Sequence, residues 1–92
     1  MPQMAIWKFS LPVRAEPAVI PMPIGARVVS VQPQRDQFCF WAIVDPSQDR
    51  EERQFIWIAT GQTFAAEGMT YHGTVQTANG VRVFHLFEVA TP

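Results

Sequence analysis

The stretch Phe38 to Val44, FCFWAIV, is apolar at every position. It is far shorter than the ~20 residues a membrane helix needs. In a strand, successive side chains point to opposite faces. Phe38, Phe40, Ala42 and Val44 therefore share one face, and Cys39, Trp41 and Ile43 share the other. FIWIA from Phe55 and VFHLF from Val83 behave similarly. A strand apolar on both faces is covered on both, by a second sheet, by closure into a barrel, or by a partner chain. No 3.6-residue periodicity runs long enough for a helix to serve as that cover. The expectation is an all-β chain, a small antiparallel β-sandwich or barrel of about six or seven strands.

The remaining runs fit this reading. Strands are predicted over Ala5–Leu11, Ala18–Met22, Ala26–Gln32, Gln37–Asp45, Arg53–Thr60, Thr70–Thr77 and Val81–Val89. Pro21 demotes the second run to an edge strand or an extended segment. MPIGA, Met22 to Ala26, suits a tight turn with positive φ at the glycine. DPSQDREE, Asp45 to Glu52, reads as a solvated hairpin tip. Within Thr60 to Met69, Thr63 as N-cap and Gly68 as stop predict at most one helical turn.

Length and composition set the class. The chain has 92 residues, 48 % of them apolar, with seven Phe, three Trp and one Tyr. That predicts one domain over 1–92 with a real core. Only 16 % of residues are charged, against roughly a quarter in an average soluble protein, which favours a homo-oligomer or a partner-bound state. A net charge of −1 lacks the basic footprint of phosphate-backbone binding, so direct nucleic-acid binding is not expected. Lone Cys39 fits a reducing compartment, and MPQMAIWKFSLP lacks a signal pattern. The expected location is cytoplasmic, without a membrane partner.

Candidate site residues gather near the end of the chain. Asn79-Gly80 favours a two-residue type I′ hairpin loop. That register sets Ala78 against Val81, Gln76 against Val83, Thr74 against His85 and His72 against Phe87. His72 and His85 then become diagonal neighbours on one face, with Glu88 on the other. A bulge at Gly73 would separate them. Two histidines are too few for zinc, which takes three or four ligands, so neither a metal nor a cofactor is expected. Cys39 lies between two phenylalanines, where a thiol packs rather than reacts. His72-Gly73-Thr74 matches half of a two-histidine phosphoesterase element, and the second half is missing. No Gly-rich phosphate loop or CxxC is present. The expectation is therefore a binding protein and not an enzyme, with Arg53, Trp57, His72, Arg82 and His85 as candidate contact residues.

Taken in order, IWKF at Ile6, MPIGA at Met22, VQPQ at Val31 and WAIVDP at Trp41 form a pattern. It continues through RQF at Arg53, ATG at Ala59, HGTVQ at His72 and VFHLFE at Val83. From about Ile6 to Glu88 this resembles an uncharacterised family of short proteins encoded by tailed bacteriophages and prophages. Where that family carries Gly-Thr-Gly-His, this chain has Ala59-Thr60-Gly61-Gln62, so no role for that histidine carries over. The resemblance implies a small protein made in the host cytoplasm during infection. Two functions fit this context: antagonism of host defence by binding a host protein complex (anti-CRISPR-like), and sequestration of a small nucleotide signal. The alternative is a small virion structural or assembly protein.

Overall fold

The computed structural model describes residues 2–77 and 79–90. Its elements are β1 (Ala5–Ser10), β2 (Ala18–Pro23), β3 (Arg27–Gln34), β4 (Gln37–Val44), β5 (Arg50–Ala59), β6 (Met69–Gln76) and β7 (Val83–Val89). They form two antiparallel sheets of order β1-β4-β3 and β2-β5-β7-β6, stacked as a small β-sandwich-like fold. Every inner strand is one of the three doubly apolar runs: β4 in the first sheet, β5 and β7 in the second. The two-sided pattern thus marked the centre of each sheet.

The core lies between the facing sides. Phe40, Val44, Phe55 and Leu86 are fully buried there, with Trp57, Val75 and Phe84 nearly so. Phe40 stacks on Phe9 of β1 and tilts against Phe55 of β5, while Phe38 meets both Trp57 and Phe84. Each such side chain contributes about 1.5–3 kcal/mol by leaving water. Trp57 also donates from Nε1 to the Leu11 carbonyl at 2.7 Å, tying the β1–β2 connection to β5.

The MPIGA turn and the edge placement of Pro21 match expectation, and the other connections add detail or differ. Gly25 has φ +86°, and Ala26 donates to the Pro23 carbonyl, closing the turn foreseen in MPIGA. Pro21 does sit on an edge strand, β2. The segment Asp45–Glu52 is not a hairpin tip. β4 and β5 belong to different sheets, and Arg50, Glu51 and Glu52 already pair with Pro23, Met22 and Pro21. The charges in that segment did not prevent pairing because β2 supplies a neighbouring strand.

No helical turn forms between Thr60 and Met69. Turns at Ala59–Gln62 and Ala66–Met69, with Gly61 and Gly68 at positive φ, carry the chain so that Phe64 packs on Phe87, 5.1 Å between rings. The hairpin loop also departs from type I′, which needs positive φ at both central residues. Among the described residues only Gly80 has it there. Gly80 donates instead to the Thr77 carbonyl, while Thr77 and Val81 both donate to Asn79 Oδ1. The expected Ala78–Val81 pair lies outside the described residues.

Candidate functional site

The register of β6 against β7 begins as the sequence implies, with Gln76 opposite Val83 and Thr74 opposite His85. It then shifts between Tyr71 and Gly73, so that Tyr71, not His72, opposes Phe87. The bulge sits where β3 crosses close to β6. A Cβ on Gly73 would lie 2.6 Å from Val31 Cγ2, so only glycine fits. The extra residue turns His72 toward the inter-sheet side and leaves His85 on the outer face. The expected histidine pair is therefore not formed.

Each histidine has other partners. His72 Nε2 lies 2.9 Å from Glu88 Oε1. Glu88 also accepts from Arg53 Nε and Nη2 at 2.6 and 2.7 Å, and Arg53 Nη1 reaches the Ala26 carbonyl. Burial alone would raise the Glu88 carboxyl, but the bonds from Arg53 and His72 outweigh it and hold it below the usual range. The Glu88 bond in turn raises the Arg53 guanidinium. On the outer face, His85 is held on both sides: Nε2 to Thr60 Oγ1 and Nδ1 to Thr74 Oγ1, each at 2.9 Å. Thr74 continues to the Tyr71 hydroxyl.

So the fold unites two of the five candidate residues, Arg53 and His72, through Glu88. Sequence alone had set Glu88 on the wrong face relative to His72. One signal for this contact was available. Arg53 shares strand parity with core residues Phe55 and Trp57, and Glu88 shares it with Phe84 and Leu86. A cation and a carboxylate on core-facing positions need each other. Trp57 is 2 % exposed and offers nothing to a partner. Arg82 is exposed and lies over the Phe84 ring at 5.0 Å.

A surface that the candidate residues do not touch stands out instead. The outer face of the first sheet carries Ile6, Lys8 and Ser10 of β1, with Cys39, Trp41 and Ile43 of β4. From β3 come Arg27, Ser30, Gln32 and Gln34. Ile6 is 63 % exposed and directly opposes half-buried Ile43, while Trp41 lies between Lys8 and Ser30. No strand position on this face is Asp or Glu. Lys8 donates to Gln34 and Ser10 to Gln37, forming a polar belt with one positive charge beside the apolar end. At the β3–β4 turn, Arg35 takes φ 57°. A shallow concavity of about 490 Å³ opens there, lined by Lys8, Gln34, Arg35, Asp36 and Gln37.

A family profile described as "Domain of unknown function (DUF7352)" matches residues 2–92. The chain belongs to the DUF7352 family. No curated protein and no solved structure matches this DUF7352 domain. Among its described residues, no helix is long and apolar enough to cross a membrane.

Proposed function

We propose that this DUF7352 domain is a non-catalytic binding protein that docks through the outer face of β1-β4-β3. The partner is a protein surface whose apolar centre is ringed by carboxylates. One observation carries this reading: Trp41, Ile43 and Ile6 lie beside Lys8 and Arg27 with no acidic strand position among them. Trp and Arg anchor interfaces more than most residues, and charge of one sign orients the encounter. The setting is a bacteriophage or prophage protein that antagonises host defence by occupying a host effector complex. The ordered motifs from IWKF at Ile6 to VFHLFE at Val83 support that setting.

The test is native mass spectrometry of tagged protein recovered gently from host lysate. A host complex should travel with the wild type and with Arg82→Ala. It should be lost with Trp41→Ala and with Lys8→Glu. Recovery unchanged by both face variants would overturn the docking reading. A fixed copy number in purified virions would instead favour a structural role.

Sequestration of a nucleotide signal has one observation in its favour. The concavity holding Lys8 and Arg35 falls within the volume range of small-molecule sites. Calorimetry with a panel of nucleotides should then give a binding heat that Arg35→Ala removes. Absence of heat across the panel would eliminate this mode.

A further inference from the structure

We propose that β1 is a dimerisation strand, pairing antiparallel with β1 of a second copy to give one continuous sheet of order β3-β4-β1-β1-β4-β3. This goes beyond the docking reading and stands without it.

One hydrogen bond fixes the direction of the backbone groups along β1. Leu11 donates to the carbonyl of Phe38, its direct opposite in the β1–β4 register, so that pair is hydrogen-bonded. Bonded and non-bonded pairs alternate along an antiparallel ladder. Phe9, Trp7 and Ala5 therefore aim their backbone groups at β4. Ile6, Lys8 and Ser10 aim theirs at the open edge, where no described strand receives them.

Free edges invite pairing, and proteins usually blunt them with proline, bulges, close cover or charged side chains such as lysine. The other three edges of this fold are blunted. On β2, the Ile24–Asp49 bond fixes the same alternation and places the nitrogens of Pro21 and Pro23 on the open side. β3 has a bulge between Val28 and Ser30 and carries Pro33. β6 is bulged at Tyr71/Gly73 and lies against Val31 of β3. β1 has no proline and no bulge, and Ile6 beside its single charge, Lys8, is the most exposed residue of the apolar patch.

The strand is also complementary to itself. A twofold axis through Trp7 sets Ile6 against Lys8 of the partner subunit, and Lys8 against Ile6 of the partner subunit. Met4 then faces Ser10 of the partner subunit. All of these residues except Trp7 aim backbone groups across the new interface, and each exposed Ile6 gains a cross-strand neighbour. Moving the axis to Lys8 opposes two lysines, which destabilises a cross-strand pair. Registers between these set outward-aimed positions against inward-aimed ones and lose the bonds. The favoured register avoids both faults. It also brings the two Trp41–Ile43 patches onto one continuous face.

Sedimentation velocity over a dilution series should give twice the chain mass for wild type. Lys8→Pro and Ile6→Pro should each shift this to a single chain, because neither nitrogen bonds to β4. Val19→Pro, on the open side of β2, should leave the dimer intact. Circular dichroism reports whether each variant folds. Amide exchange on the wild type decides the matter even if the proline variants do not fold. Ile6 and Lys8 amides protected like that of Trp7 support the pairing; free exchange at both overturns it. A wild-type monomer at every concentration, a different assembly, or a dimer surviving both folded β1 variants also overturns it.

Discussion

Glu88 joins Arg53 to His72 between the two sheets. It sits on the core side of β7, receives both Arg53 and His72, and is only 18 % exposed at its side chain. Its carboxyl titrates below the ordinary value despite burial, so the folded state prefers it charged. A depressed carboxylate contributes stability above the unfolded value of roughly 4.3, and that contribution fades as pH falls through the folded value. The thermal midpoint of the wild type should fall from about pH 4.3 downward, through that lowered value. Glu88→Gln should lower stability near neutral pH by about 2 kcal/mol and flatten this part of the pH profile. A wild-type slope retained in the Gln variant would assign the acid sensitivity to another group, such as Asp45, whose carboxyl Ser47 holds low.

At the scale of elements, the β6 bulge is the decisive departure from regular pairing. Alternation and the Asn79-Gly80 turn place Thr74 opposite His85 correctly. They then mislead at His72, because strict alternation carries on through a position where the ladder slips. The physical cause is steric: the two sheets approach too closely at Gly73 and Val31 for a Cβ. Gly73→Ala should therefore destabilise the fold by about 1–3 kcal/mol through overpacking, read as a lower denaturant midpoint. A near-neutral result would mean that Val31 moves aside easily and that the bulge has another origin. The β4–β5 connection teaches a related lesson. Its charges suggested a hairpin tip, yet Arg50 to Glu52 extend β5 because β2 runs alongside.

Three of the five strand pairings among the described residues join strands that do not follow one another in the chain. β1 finds β4, β2 finds β5, and β5 finds β7 across intervening chain. Chains of this kind close long loops before their contacts stabilise them, so they fold slowly. Stopped-flow refolding should show a main phase in the ~millisecond to second range. A microsecond main phase would contradict the pairing order. The proposed docking face also depends on such pairing, since β1 reaches β4 across β2 and β3 in the chain.

The sequence alone determined the class and the inner strands. Two-faced apolar runs and frequent turn residues leave few other ways to remove that much apolar surface from water. It also marked Pro21 as an edge and Gly25 as a turn, because those residues act through their own backbone. Tertiary structure decided what depends on neighbours distant in the chain. Val31 sets the slip at Gly73, the slip turns His72 to Glu88 and away from His85, and sheet order leaves β1 open beside Trp41 and Ile43. Local rules govern a residue's own φ and ψ; which face it shows, and to whom, is fixed by the packing of strands that the sequence keeps apart.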